Sequence, residues 1–437
     1  GIAGLRCANQ LRRSGHEVVV HERASSVGGR MRTQEVDGFL LDHGFHVMQT
    51  GYSISESEID FAALGARAFS PGARVLRSRG QAVELSTYAD PFRRPLGGLA
   101  ALSKERWSDL LKVAGLRIKA LRGWPSSAFS GGDESTEVFL RESGPGLSQE
   151  FIDSFFRPLF AGIFLESELR TSERMFRFIF GAMSRGEMIL PAQGIQAYPN
   201  ALAEQLGWER IMLSSEAEAV SPTALRLGGE TVEVGQVIVA HPEVEPVDGR
   251  SVWTVQLGAQ ASPAPGGFLV LNGDYALGHS LIAHLSIPSD VQPTYSPADQ
   301  ALVTATIVGD AAQALGLEDE AQVESKARQE LAAWFPDSQR WTTLAVQHVT
   351  LALPERGAGS GLAARPAELG GLGRGSLLGG GRAQRHRLRH QALAQRSLDT
   401  RRRTFLDDLL VASLHRAITL AERHHPPGAV AEDLHFD

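Results

Sequence analysis

The chain has 437 residues, of which 43% are hydrophobic and 21% charged, and its formal net charge is −7 at pH 7. This length predicts two or three lobes with buried cores, and the acidic balance argues against a nucleic-acid-binding surface. The single cysteine, Cys7, excludes an internal disulfide and a cysteine-based metal cluster; we predict that it is a small buried hydrophobic residue. The apolar runs are shorter than the roughly 18 residues of a membrane span.

The chain opens with a glycine-rich turn. Gly1 and Gly4 match the last two glycines of a G-x-G-x-x-G turn, and Leu5 to Ser14 has the apolar spacing of a helix. Glu17 to His21 then predicts a short apolar strand that ends at Glu22. A glycine turn before a helix, with an acidic residue about 20 positions further on, is typical of dinucleotide binding. Bare backbone lets a pyrophosphate reach the helix N-terminus, and the carboxylate accepts hydrogen bonds from ribose hydroxyls.

Two further motifs follow at once. Residues Glu22 to Thr33 read E-R-x-x-x-x-G-G-R-x-x-T, and Asp37 to Phe45 read D-G-F-x-x-D-x-G-F. Together they resemble the flavin-dependent amine oxidase and carotenoid (phytoene) desaturase superfamily. The resemblance implies an α/β fold, with a Rossmann-like FAD-binding domain of the GR2 type and an inserted α+β substrate domain. It also implies non-covalent FAD, held at Gly1, Ile2, Ala3, Gly4, Glu22, Arg23, Gly28, Gly29, Arg30, Gly44, Phe45 and Ala217.

The middle of the chain is predominantly helical in pattern. Helices are predicted at Glu56 to Leu64, at Lys104 to Leu121 and from Ser135 to Arg141, with short strands between the first two. Phe151 to Ser184 is the richest aromatic stretch, and its spacing places rings on one helical face. Two interpretations stay open here, a plain helical core and the wall of an apolar substrate cavity. Phe156 to Ser172 resembles the substrate-domain helices of bacterial carotenoid desaturase-like proteins.

The second half is richer in strands. Ala217 to Val220 predicts a strand, Ala224 to Leu227 and Thr231 to Val234 a hairpin, and Val237 to Ala240 a buried strand. In the superfamily, the residue that matches Ala217 contacts the adenine edge through its backbone. Further elements are predicted at Val252 to Leu257, Phe268 to Leu271, Leu302 to Val308 and Thr342 to Leu353 (strands) and at Glu318 to Ala333 (a helix).

Both ends of the chain depart from the superfamily pattern. The first strand and first glycine of the opening motif are not in the sequence, from which we expect an N-terminal truncation. After Pro354 the composition turns to Arg, Gly, Ala and Leu, where the superfamily has a strand that closes on Gly-Asp. A reading of Ser376 to Arg389 one base later is compatible with Leu-Tyr-Trp-Ala-Gly-Asp, which suggests a frameshift; an Arg-rich linker is the alternative. We therefore expect weak or absent FAD binding by this polypeptide.

The domain boundaries follow from these patterns. The predicted segments are an N-terminal part of the FAD-binding domain (1–70), a mainly helical substrate domain (71–205), returning strands of the FAD-binding domain (206–245), a substrate-domain sheet with a helix (246–354) and an aberrant tail (355–437).

The resemblance implies an FAD-dependent oxidoreductase that transfers hydride from a lipophilic substrate, as a desaturase does, or from an amine. The alternative is a non-catalytic remnant that no longer holds FAD. An NAD-dependent dehydrogenase is disfavoured because it has no use for the Gly28-Gly29-Arg30 segment. No catalytic residue and no metal ligand stands out; for His43 and His46 a loop-lining role is favoured over an active-site role. We expect a small, apolar substrate, no nucleic acid, and a cytoplasmic location, with peripheral membrane contact left open.

Overall fold

The computed structural model describes residues 1–44, 47–52, 59–79, 82–90, 92–93, 107–129, 132–240 and 249–354. The predictions for Phe45, His46 and the tail after Pro354 lie outside these residues. The chain forms two compact units, unit 1 with Gly1–Gly29 and Leu202–Glu245, and unit 2 with Arg30–Ala201 and Pro246–Ser360. In the part of the chain that the structure describes, no helix has the length and apolar character needed to cross a bilayer.

Seventeen strands are described. In chain order they are β1 (Val20–His21), β2 (Thr33–Val36), β3 (Phe39–Asp42), β4 (Met48–Gln49), β5 (Arg67–Ala68), β6 (Gly72–Arg79), β7 (Ala82–Ala89), β8 (Met188–Leu190), β9 (Ile211–Met212), β10 (Ala217–Ser221), β11 (Ala224–Leu227), β12 (Glu230–Glu233), β13 (Gly249–Ala259), β14 (Leu269–Asn272), β15 (Ile282–Ser286), β16 (Ala301–Val308) and β17 (Thr342–Pro354).

The described α-helices differ widely in length. In chain order they are α1 (Ile2–Arg13), α2 (Trp107–Leu121), α3 (Thr136–Val138), α4 (Gln149–Phe151), α5 (Arg157–Phe164), α6 (Glu173–Arg185), α7 (Ala197–Leu206), α8 (Pro288–Val291), α9 (Gly309–Ala314) and α10 (Glu320–Trp334). Two π-helical segments (Phe139–Ser143, Ile152–Phe156) and four 3-10 segments (Ser126–Phe129, Trp208–Arg210, Pro293–Tyr295, Pro336–Arg340) complete the helical structure.

Unit 1 is built around α1 and two small sheets. Leu5, Cys7 and Ala8 form the buried face of α1, as the apolar spacing predicted. Burial raises the pKa of the Cys7 thiol to about 11, so this cysteine behaves as a small apolar residue. β1 pairs in parallel with β9, and β10, β11 and β12 form an antiparallel three-stranded sheet. The predicted strand at Ala217 and the hairpin after it are thereby confirmed.

Two strand predictions in unit 1 are wrong, one entirely and one in extent. Val237 to Ala240 was predicted as a buried strand, but these residues are half-buried and belong to no strand. Only Val20–His21 of the apolar segment before Glu22 is paired, and Val19 is 59% exposed. A strand forms only where a neighbouring backbone satisfies its N–H and C=O groups, and among the described residues only β9 does so for this segment.

Unit 2 contains a seven-stranded sheet with the strand order β17-β13-β16-β15-β14-β6-β7. The strands predicted between residues 252 and 353 are all members of this sheet. One face of the sheet is apolar and packs against α10 through Val323, Ala327 and Leu331, which are fully buried. The remaining small sheets of unit 2 are the β2–β3 hairpin and the set β4-β8-β5.

The boundaries of the compact units differ from those drawn on the sequence at residue 70. Residues 30–70 lie in unit 2 because β4 and β5 both pair with β8, and because Phe39 and Leu41 of β3 pack with Tyr295 and Leu302. The segment predicted as mainly helical contributes β6 and β7 to the large sheet, in addition to helices α2 to α6. The described part of the predicted helix Glu56 to Leu64 forms turns.

Candidate functional site

In unit 1, the N-terminus of α1 offers free backbone amides. Gly1 is the N-cap, no side chain caps the helix, and the first turn contains no acidic residue. The first intrahelical bond runs from Leu5 N to Gly1 O at 3.1 Å, so the amides of Ile2, Ala3 and Gly4 have no partner within the helix. Aligned amides and the positive end of the helix dipole attract a phosphate group. This end of α1 is therefore suited to an anion.

Glu22 brings a carboxylate to the same turn. It follows β1, and its backbone N–H donates to Met212 O of the parallel strand at 3.0 Å. Its Oε2 lies 3.3 Å from the Gly1 amino nitrogen, and its Oε1 accepts a hydrogen bond from Ala24 N at 3.0 Å. The side chain is 20% exposed and is held in a fixed orientation. A ribose diol next to the helix N-terminus would find its acceptor here.

The paired glycines close against this turn. Gly28 and Gly29 have φ values of +109° and +61°, which favour glycine. A Cβ on Gly29 would lie 3.2 Å from Gly1 Cα, so the two segments approach each other with backbone alone. Of the other residues predicted for this unit, Arg23 is exposed, and Ala217 begins β10 opposite Leu227.

Unit 2 contains two further residues predicted from the motif. The Arg30 guanidinium donates through Nη1 to Ala352 O at 2.6 Å and to Leu351 O at 3.4 Å, both on β17. Gly44 has a φ of +89°, and its N–H donates to Gln347 Oε1, also on β17, at 2.9 Å. The motif residues 30 and 44 are thus both attached to the edge strand of the large sheet.

Asp42 is an anchor that the site prediction did not include, although it is the second aspartate of the D-G-F-x-x-D motif. Its carboxylate accepts hydrogen bonds from Thr33 Oγ1 at 2.6 Å, Ile195 N at 3.0 Å and Tyr295 Oη at 2.7 Å. Burial raises the pKa of Asp42, and these donors oppose the rise. Burial, together with the neighbouring Asp42 carboxylate, raises the pKa of the Tyr295 phenol, so it stays a hydrogen-bond donor. Asp42 therefore fixes the loop that carries Gly44.

A group of buried polar side chains covers the sheet face next to Asp42. They alternate with apolar residues along their strands and lie side by side across the sheet: Thr254 is opposite Thr306 and Gln347, and Thr304 is opposite Gln256 and Ser286. Each is at most 8% exposed. We call this set the polar floor; its members are Thr254, Gln256, Ser286, Thr304, Thr306 and Gln347. The polar floor was not predicted, although the alternation T-x-Q in β13 and T-x-T in β16 is visible in the sequence.

The aromatic stretch forms a packed core. The rings of Phe160 and Phe176 have centroids 4.7 Å apart, and Phe156 contacts both at about 6 Å. All three side chains are at most 1% exposed. Of the two interpretations of this stretch, the structure favours the plain helical core for these three residues.

Comparison with known proteins gives one family and one fold. Residues 2–243 match the model of the flavin-containing amine oxidoreductases. An oxidoreductase from Methanosarcina mazei is similar in structure, with a TM-score of 0.61, 17% identity, and coverage of 82% of this chain and 88% of that chain. Putrescine oxidase bound to putrescine is also similar in structure, with a TM-score of 0.55, 15% identity, and coverage of 82% of this chain and 87% of that chain. For reduced UDP-galactopyranose mutase the TM-score is 0.53 and the identity 14%, with coverage of 82% of this chain and 83% of that chain.

Proposed function

The chain belongs to the flavin-containing amine oxidoreductase family, and on that basis we propose that it is an FAD-dependent oxidoreductase that moves a hydride from a small-molecule substrate to the flavin. The observation that supports FAD most directly is the pairing of an uncapped helix N-terminus with the Glu22 carboxylate, 3.3 Å from Gly1 N. The same unit thus has both groups that a dinucleotide site would need.

The residues of unit 1 fit the adenosine diphosphate part of FAD. The amides of Ile2, Ala3 and Gly4 would bind the pyrophosphate, and Glu22 would accept the ribose hydroxyls. Gly1 and Gly29 approach so closely that a Cβ on Gly29 would lie 3.2 Å from Gly1 Cα. The isoalloxazine ring of FAD supplies the redox chemistry when bound, and the protein orients the substrate and excludes water. With one buried cysteine on α1, we propose that FAD is bound non-covalently.

A lipophilic substrate, as in desaturases, is proposed over an amine. The amine oxidases that the sequence resembles often use a lysine near the flavin. The described lysines instead lie on helices α2 and α10, where Lys112 donates to Gly146 O at 2.6 Å and Lys326 lies 3.7 Å from Glu330. Lys112 and Lys326 are therefore each engaged by a nearby acceptor. From this placement of the lysines we propose that the hydride leaves a carbon atom that carries no amino group.

Titration with FAD and with FMN tests the cofactor proposal. FMN lacks the adenosine part of FAD and so cannot make the contacts proposed for unit 1. We therefore expect FMN to bind at least about 100-fold more weakly than FAD. The Glu22→Gln variant should bind FAD about tenfold more weakly, because hydrogen bonds to a charged acceptor contribute about 1.5 kcal/mol or more. Glu17→Gln is the matched control, since the Glu17 side chain is 96% exposed on the same segment.

Equal binding of FAD and FMN would contradict the assignment of unit 1 to the adenosine part. An equal loss of affinity in the Glu17 and Glu22 variants would show that net charge alone, and not the position of Glu22, governs binding.

A further inference from the structure

The polar floor contains hydrogen-bonding atoms that the protein does not use. Gln256 Oε1, Ser286 Oγ, Thr306 Oγ1 and Gln347 Nε2 are buried, and none has a hydrogen-bond partner in the described structure. All four side chains are at least nine-tenths buried. Native proteins satisfy nearly all of their buried polar atoms, so a group of such atoms on adjacent strands indicates a ligand.

The geometry fixes what these atoms offer. Gln256 donates through Nε2 to Asp42 O at 3.0 Å, so its free atom is the carbonyl acceptor. Gln347 accepts through Oε1 from Gly44 N at 2.9 Å, so its free atom is the amide donor. Ser286 and Thr306 carry hydroxyls, which can donate and accept. The floor therefore offers both donors and acceptors, as a group that itself does both requires.

A small cavity lies against part of the polar floor. Its volume is about 20 Å³, and it is lined by residues that include Asp42, Gly44, Gln256, Ser286 and Thr304. A cavity holds one water molecule when this volume exceeds roughly 10 to 15 Å³. The space thus accommodates one oxygen-bearing group, and it is lined by Gln256 of β13 and Ser286 of β15, the strands on either side of β16.

The charge of the surroundings selects a neutral occupant. The only charged residue among those lining the cavity is Asp42, and its carboxylate already accepts hydrogen bonds from Thr33, Ile195 and Tyr295. Among the described lining residues, an ammonium group would meet no free carboxylate, and a carboxylate ligand would meet no cation. Both ions would lose hydration without compensation.

We propose that the polar floor binds one uncharged hydroxyl-type oxygen, which donates a hydrogen bond to Gln256 Oε1 and accepts one from the Ser286 hydroxyl. The oxygen belongs either to a lipophilic alcohol-bearing substrate or to an internal water molecule. The assignment of this oxygen to a substrate rests on the proposed function, whereas the existence of the site does not depend on it. The proposal adds to that function a polar determinant for substrate choice, placed on the large sheet.

Calorimetric titration with three probes that share an eight-carbon chain tests the choice of head group. 1-Octanol is neutral, octylamine is cationic and octanoate is anionic at pH 7. We expect 1-octanol to bind best, and Ser286→Ala to weaken it about fivefold, the loss of one neutral hydrogen bond. Ser286→Thr, which keeps a hydroxyl, should retain most of the affinity. Ser184→Ala is the matched control, because the Ser184 hydroxyl donates to Phe180 O on α6.

A crystal structure of the wild-type protein distinguishes the two sources. Density for one water within hydrogen-bond distance of Gln256 Oε1 and Ser286 Oγ, retained in 1-octanol, assigns the oxygen to water. Displacement of that water by 1-octanol, with the Ser286-dependent loss of affinity, assigns it to a substrate. A dry cavity without a preference for 1-octanol overturns the proposal, as does tighter, Ser286-dependent binding of either charged probe. None of these measurements needs flavin, so a colourless protein that passes them contradicts the proposed function and leaves the site intact.

Discussion

The contact between Gly29 and Gly1 predicts a selective loss of FAD binding in the Gly29→Ala variant. The alanine would have to adopt a φ of +61°, and its Cβ would lie 3.2 Å from Gly1 Cα. The left-handed backbone costs an alanine about 1 kcal/mol of stability. The contact is with backbone, so the turn at the N-terminus of α1 must shift by a few tenths of an ångström, which displaces the amides proposed to bind the pyrophosphate.

Gly15→Ala is the matched control. Gly15 has a φ of +87° in the same unit, and a Cβ there would meet nothing within 4 Å. Both variants should therefore lose about 1 kcal/mol of unfolding free energy in urea titrations. We expect FAD affinity, measured by quenching of flavin fluorescence, to fall at least about tenfold in Gly29→Ala, or about 1.4 kcal/mol, and less than about twofold in Gly15→Ala.

Equal FAD affinity in the two variants would refute this reasoning, since it would show that the Gly1–Gly29 approach is unrelated to the cofactor. Unequal stability losses would show instead that the contact at Gly29 already strains the unit without FAD.

Two further predictions concern stability. A Cβ at Gly162 on α5 would overlap the His284 ring, whereas a Cβ at Gly115 on α2 would meet nothing within 4 Å. In urea titrations the free energy of unfolding should therefore fall by about 2 kcal/mol in Gly162→Ala and rise by about 0.5 kcal/mol in Gly115→Ala. Adding His284→Ala to Gly162→Ala should recover part of the loss. If both glycine variants gained stability, the packing of α5 on β15 would be contradicted. Burial lowers the pKa of His284 from its ordinary value of 6.5 to about 4. As the pH falls, the unfolded state therefore takes up the proton before the folded state does. The free energy of unfolding should fall by up to about 3 kcal/mol between about pH 6.5 and pH 4. His284→Gln should lack this part of the slope, and an unchanged slope would rule the histidine out.

Local patterns predicted the opening of unit 1 well. The glycine turn, the helix behind it and the position of Glu22 depend on residues within some 20 positions of one another, and the structure brings Gly1 and Glu22 together. The strands of the large sheet also followed from local apolar runs, except β15 (Ile282–Ser286), which was not predicted. By contrast, Val237 to Ala240 has the composition of a buried strand, but pairing depends on a neighbour that composition cannot specify.

The polar floor could not be found from sequence because it depends on register. Gln256, Thr304 and Ser286 are far apart in the chain and become neighbours only when β13, β16 and β15 pair as they do. A polar residue at alternate positions of a strand usually indicates a solvent-facing side of a sheet. Here that side is buried, which turns an ordinary pattern into a set of buried hydrogen-bonding groups.

The visible absorption spectrum of the purified chain, with the flavin released by denaturation and identified, tests the central proposal most directly. We expect a flavin band, and FAD as the released compound, because the uncapped end of α1 and the Glu22 carboxylate offer the groups that its adenosine diphosphate part would need. This expectation replaces the weak or absent FAD binding that the two ends of the sequence suggested. The remnant alternative, raised by the composition after Pro354, predicts a protein without this band. A folded, colourless protein that does not take up added FAD would contradict the proposed function.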